Sequence, residues 1–146
     1  MSRSRQIYDA LTSTMRIDPD EHSPITSSNR FTSLGYALAG WLYMLRRQKN
    51  TRLQALASVV VFVVALWLQI DAIGWALLVV TITIVWMAEF MNAAVEAVVN
   101  LATLELHPMA KVAKDVASAA VLLGVAASVI IGLLVLGPPL LQKLGI

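Results

Sequence analysis

Apolar residues along this 146-residue chain fall into two patterns, one periodic and one nearly continuous. Between residues 28 and 48, Phe31, Leu34, Leu38, Trp41, Leu42 and Leu45 recur every three or four positions, opposite Thr32, Ser33 and Arg47. This spacing predicts an amphipathic helix, with Asn29 or a neighbouring serine as its N-cap. In a chain that offers no soluble core, such a helix is expected to lie in the membrane interface. Residues 53–70 then run without a charged side chain, long enough for one bilayer crossing at about 1.5 Å per residue. Asp71 marks a short turn. Residues 73–102 read as a single helix of about 45 Å, longer than the roughly 30 Å of hydrocarbon, so its far end projects out of the lipid. Leu104-Glu105-Leu106-His107-Pro108 breaks the pattern, and Pro108 suits the first turn of a further helix. That helix, residues 108–136, is apolar from Val116 to Leu136, and Gly137-Pro138-Pro139 is expected to stop it.

The pattern predicts an all-α membrane protein, three transmembrane helices preceded by an interfacial one, in a single domain over residues 28–146. Residues 1–27 are polar and breaker-rich and predict a flexible cytosolic tail, without the apolar core of a signal peptide. Composition agrees: 58% hydrophobic residues against 14% charged is too apolar for an ordinary soluble domain. The absence of cysteine excludes disulfides, thiolate metal sites and cysteine nucleophiles. No broad basic surface with stacking aromatics is present, which argues against a nucleic-acid partner. Charge distribution orients the spans. Arg46, Arg47, Lys49 and Arg52 precede the first, Lys111 and Lys114 follow the second, and the turn at Asp71 carries no basic residue. The positive-inside rule puts both basic clusters and the N-terminus in the cytoplasm, against the single opposing Lys143.

The second span ends in Glu89-Phe-Met-Asn92-Ala-Ala-Val-Glu96-Ala-Val-Val-Asn100, whose carboxylates and carboxamides fall on one side of a helix. An acidic group at mid-bilayer costs about 2.5–3.5 kcal/mol on insertion scales and persists where it faces protein, water or a ligand. Counted from Ile73, Glu89 lies about 24 Å along the axis, at the inner edge of the hydrocarbon, and Glu96 about 35 Å along, in the headgroup zone. Lys111, Lys114 and Asp115 reach a similar depth from the next helix, and the cluster around Gln48 meets it from the first. Such a mixture suits phosphoryl transfer from a water-soluble donor to a lipid alcohol. Glu96 is a hard oxygen ligand for Mg²⁺, lysines neutralise phosphoryl oxygens, and a carboxylate at the apolar boundary suits a general base. By chemistry alone, three readings stay open: a lipid kinase, a structural or accessory subunit of a membrane assembly, and a small transporter using Glu89 as an ion site. Glu89 and Glu96 paired with Lys114 or Lys111 as structural salt bridges is an equal contender at this level. His107 reads as a loop or capping residue, the tryptophans as anchors or packing groups, and Gly124, Ser128 and Gly132 as a close-packing helix face.

The run Glu89-x-x-Asn92-x-Ala94-Val95-Glu96, followed by His107-Pro108-x-Ala110-Lys111-x-Ala113-Lys114-Asp115, resembles the prokaryotic diacylglycerol kinase family, which includes the undecaprenol kinases. The resemblance extends from about Asn29 to Leu136 and takes in Asn50-x-Arg52. It implies a homotrimeric kinase of a bacterial inner membrane that moves the γ-phosphate of ATP to a lipid alcohol, diacylglycerol or undecaprenol, with Mg²⁺ as cofactor. It also implies roles: Glu89 as the base, Glu96 and Gln48 at the metal, and Asn92, Lys114 and Asp115 at the nucleotide. Asn100, Lys111 and Arg52 would support them. The family often carries Glu at the position of Gln48, Asp at that of Asn100, and Ser or Thr at that of Ala93, which leaves this metal site less anionic.

Overall fold

The computed structural model describes residues 29–146 except 104 and 106; the tail expected over residues 1–27 lies outside them. Four helices follow one another: α1 (Arg30–Arg47), α2 (Lys49–Leu68), α3 (Ala72–Ala102) and α4 (Pro108–Leu144). The chain divides into two compact units, Met1–Leu42 and Tyr43–Ile146. In the first, α1 starts where its sequence places it: the Asn29 side-chain oxygen accepts from the Phe31 N–H at 3.0 Å, satisfying one of the orphan donors of a helix start.

In the second unit, α2, α3 and α4 are each long and apolar enough to cross a bilayer. Few of their apolar side chains are buried. Ala65, Leu68, Leu78 and Val85 are enclosed, whereas Val59, Val63, Leu66, Leu122, Leu123, Leu133 and Leu134 are exposed. An exposed apolar surface of this extent belongs in lipid, and the protein is a membrane protein. The α3–α4 pair provides the main packing, antiparallel along its length: Gly124 sits against Val85, and Gly74 near Val135. Gly74 is tightly placed, with Asp71 Oδ1, Val135 and Ile70 all within 3.1–3.3 Å of where a β-carbon would stand.

The turns follow the expected chemistry. Gln69 closes α2 in the left-handed conformation at φ 55°, its N–H turned to the last carbonyls. Asp71 caps α3, accepting from the Gly74 N–H at 2.8 Å. His107 caps α4 through Nδ1, and Pro108 occupies the first turn.

Two boundaries and one packing position differ from expectation. The first span begins at Lys49, not Leu53, so Asn50, Thr51 and Arg52 belong to the helix rather than to a linker. Only Gln48, extended at φ −95° and ψ 120°, separates α1 from α2. One residue suffices because its N–H still bonds the Met44 carbonyl at 3.0 Å, and its own carbonyl receives the Arg52 N–H at 3.4 Å. At the other end, Gly137-Pro138-Pro139 does not stop the third span, and α4 runs on to Leu144. The prolines cannot donate to the carbonyls of Leu134 and Val135, a loss that transmembrane helices tolerate. The end is instead tied down by Lys143, whose ammonium donates to the Trp67 carbonyl at 2.6 Å and lies 4.6 Å above the Trp67 ring. Finally, Gly124 is a packing glycine, but nothing stands within 4 Å of the Gly132 position, which opens onto a cavity.

The Asp71 cap is testable. Asp71→Ala should lower unfolding stability in micelles by about 1 kcal/mol, read as a shifted denaturant midpoint with the helical signal before unfolding unchanged.

Candidate active site

The polar residues of α3 do not behave as a uniform row. Glu89 is 4% exposed, and the Asn50 side chain of α2 lines the same polar end of a cavity as its carboxylate. One turn on, the Asn92 amide nitrogen donates to Glu96 Oε1 at 3.3 Å, while Asn92 Oδ1 accepts from the Ser118 hydroxyl of α4 at 3.4 Å. Asn92 therefore bridges the acidic row to α4. At the end of the row, Asn100 Oδ1 accepts from the Lys114 ammonium at 2.7 Å. Lys111 pairs with Asp115 one turn away on the exposed face of α4.

This pattern decides against salt bridges as the reason for the acidic pair. Among the described residues, neither Glu89 nor Glu96 meets a lysine or arginine within salt-bridge distance; Lys114 is taken by Asn100 and Lys111 by Asp115. They stand seven residues apart on α3, about 10 Å along its axis, as like charges without a basic partner. A carboxylate beside apolar helices is unfavourable unless a cation or a proton compensates it.

A cavity of about 680 Å³ opens between α2, α3 and α4. One end is polar, formed by Asn50, Gln54, Ser58, Trp86 and Glu89; the remainder, past Val61, Val125 and Leu140, is almost wholly apolar. Along α2 it runs from Asn50 to Val64, about 21 Å of helix. Its polar end is built from α2 residues at four-residue spacing, Asn50, Gln54 and Ser58, which share one helix face. Ser58 is fully engaged: its hydroxyl donates to the Gln54 carbonyl at 2.8 Å and accepts from the Trp86 indole at 3.1 Å. Trp75, stacked on Phe62 at 5.9 Å between ring centres, is likewise a packing group.

The residues singled out in the sequence thus divide. Asn92 and Glu96 are brought together with Ser118, Glu89 lines the cavity beside α2, and Lys114 is fixed to the same row through Asn100. Asp115 and Lys111 sit one turn apart beside it. Gln48 stands at the α1–α2 joint, half-buried, and makes no side-chain hydrogen bond with Glu96. Arg52 lies in the first turn of α2, two residues from Asn50. Gln54, Ser58 and Ser118 are site residues that sequence reading passed over, and Asn50 entered it only within Asn50-x-Arg52. The signal for the three on α2 was their i, i+4, i+8 amide and hydroxyl stripe, which a reading based on charge does not pick out.

No group of three or more acidic or histidine side chains able to hold a metal occurs among the described residues. The donor set nonetheless fits a hard cation held jointly with a phosphate ligand. Glu96 and Glu89 lack a basic partner, and Asn92 adds a carboxamide oxygen, whereas Mg²⁺ takes only one or two carboxylates when substrate phosphates complete its shell.

Comparison with known proteins follows the same line. The family model for prokaryotic diacylglycerol kinase matches residues 35–136. A diacylglycerol kinase of Synechocystis sp. is 41% identical over 115 residues, covering 78% of this chain and 66% of that protein. The Escherichia coli diacylglycerol kinase is 35% identical over 96 residues, 66% of this chain and 79% of that protein. The undecaprenol kinase of Bacillus subtilis is 34% identical over 110 residues, 75% of this chain and 89% of that protein.

If the acidic pair had a structural role, neutralising it would cost about 3–5 kcal/mol. The geometry predicts the opposite sign. Glu89→Gln and Glu96→Gln should leave the denaturant midpoint in micelles equal to or above that of the wild type, since each removes a negative charge that has no basic partner.

Proposed function

This chain belongs to the prokaryotic diacylglycerol kinase family, and we propose that it is an integral-membrane, ATP-dependent lipid kinase that phosphorylates the hydroxyl of a membrane lipid alcohol. The observation that carries this reading is the position of Glu89: a buried carboxylate without a basic partner, at the polar end of a long apolar cavity. A lipid tail fits the apolar length, and its hydroxyl then meets the carboxylate.

Each group has a definite task in that reading. Glu89, oriented by Asn50, accepts the proton of the lipid hydroxyl. The alcohol oxygen forms a bond to the γ-phosphorus as the bond to the β-phosphate oxygen breaks, and ADP leaves. Such a reaction needs mostly positioning and charge neutralisation. Glu96, about 10 Å further along α3, lies closer to water and would hold Mg²⁺ with Asn92 and, from the helix joint, Gln48. When bound, Mg²⁺ neutralises the nucleotide phosphates and fixes their orientation. Lys114 would contact phosphate oxygens, and Asp115 would help hold the nucleotide, with Asn100, Lys111 and Arg52 supporting them. We further propose that the site faces the cytoplasm of a bacterial inner membrane, as the basic clusters direct, and that the chain works as a homotrimer. An accessory role without catalysis would leave the unpaired carboxylates of α3 without a function.

Purified protein in lipid nanodiscs, given labelled ATP, Mg²⁺ and a lipid alcohol, should produce labelled lipid. Glu89→Gln should lower kcat by about 10²–10⁴-fold, the contribution of a general base. Glu96→Gln should raise the Mg²⁺ concentration for half-maximal rate, and Gln48→Glu should lower it. No lipid phosphorylation by the wild type with either diacylglycerol or undecaprenol would overturn the reading. An unchanged Mg²⁺ dependence in Gln48→Glu would remove Gln48 from the metal site.

A further inference from the structure

One polar group of the cavity is both unused by the proposed reaction and left without a partner. Gln54 lines the polar end, and the Gln54 Nε2 is buried without a hydrogen-bond partner. Along the α2 face it stands between Asn50, which lines the same polar end as Glu89, and Ser58, which is engaged by Trp86 and the Gln54 carbonyl. Thr51 Oγ1 is also buried and unpartnered, but Thr51 does not line the cavity. A buried amide donor left unmade is costly, so a ligand that supplies an acceptor there gains that cost back as affinity.

The position of Gln54 defines where the acceptor must be. It lies one helical turn, about 6 Å, further from the helix start than Asn50. A lipid whose hydroxyl reaches Glu89 and whose tail follows the apolar length therefore passes Gln54 immediately beyond its headgroup. A prenol is hydrocarbon at that point and leaves the amide unpaired. A glycerolipid carries ester carbonyl oxygens a few bonds from its free hydroxyl.

We propose that Gln54 is a specificity-determining residue that donates to an ester carbonyl of the lipid substrate, and so selects a diacylglycerol-type alcohol over a prenol. The inference rests on the lipid-kinase reading above. A neutral donor suits this role, because it pairs with a carbonyl without placing a further charge beside Glu89.

The test compares two lipids that differ only in the proposed contact: dioleoylglycerol and its dioleyl ether analogue, which has the same chains and hydroxyl but no carbonyl. In nanodiscs, wild-type kcat/KM should favour the ester about tenfold, the discrimination expected for one buried neutral hydrogen bond. In Gln54→Leu and in the near-isosteric Gln54→Met, the ester-to-ether ratio should fall to about one. A merely structural role for Gln54 would change both lipids alike and leave the ratio in place. A wild type without preference for the ester, or a preference that persists in both variants, overturns the proposal while the kinase reading stands. Failure of the wild type to phosphorylate either glycerolipid overturns the selection of glycerolipids. If undecaprenol is then phosphorylated, the kinase reading survives without it.

Discussion

A carboxylate only 4% exposed on a membrane-spanning helix must be compensated from inside the protein, because hydrocarbon offers it no hydrogen bond. In this protein the compensation comes from α2. Asn50 lies level with Glu89 because α2 begins at Lys49 and returns to α3 through the tight turn from Gln69 to Asp71, which fixes the stagger of the two helices. A longer turn there would slide the Asn50-Gln54-Ser58 stripe relative to Glu89, and the polar end of the cavity would be lost. The same constraint explains why a carboxamide rather than a cation meets Glu96. An amide offers both a donor and an acceptor at lower desolvation cost than an ion, so Asn92 can serve Glu96 and Ser118 at once.

Much of this was legible in the residues. The three spans, the Asp71 turn, the Asn29 cap and Pro108 in the first turn of α4 follow from apolar run length and capping chemistry, which are local properties. The acidic row was legible as well, since its polar residues are rare events in an apolar segment. What local pattern missed was set by tertiary contact. The start of α2 was hidden by its basic first turn, which reads as linker until Gln48 is seen to keep backbone bonds to both helices. The continuation of α4 through Pro138 and Pro139 was hidden because proline is a breaker in water, while its missing donor weighs less where neighbouring elements hold the helix. Asn50, Gln54 and Ser58 were hidden for another reason. Each is an ordinary polar residue alone, and only their common face, turned to Glu89 across an apolar gap, gives them meaning.

The division of α3 into a buried carboxylate, the proposed base, and a wetter one, the proposed metal ligand, follows from helix length. A span that merely crossed the hydrocarbon would end near Glu89. The further turns to Ala102 carry Glu96 and Asn100 to a level where phosphates are soluble, with no change of element. One helix thereby carries one carboxylate at the lipid-facing cavity and another nearer the aqueous phase, about 10 Å apart, which is the spacing the proposed reaction uses. Rigidity matters because phosphoryl transfer depends on holding two substrates from different phases in line. A loop would not fix that distance, and a shorter helix would not span it.

The far end of the cavity depends on a segment that lies outside the family match at residues 35–136. Gly137 and Leu140 line it, so it exists only if α4 continues past the two prolines and stays against α2. The Lys143 ammonium provides that hold by donating to the Trp67 carbonyl while lying over the indole face, and Gly145 closes the helix in the left-handed conformation at φ 75°. Trp67 is in the last turn of α2, where backbone carbonyls lack intrahelical donors. Lys143 satisfies one of these, so a cation that opposes the positive-inside pattern has a structural reason to be there. The charge that fitted the topology least well is the one that joins the first and last spans at the ends away from the acidic row.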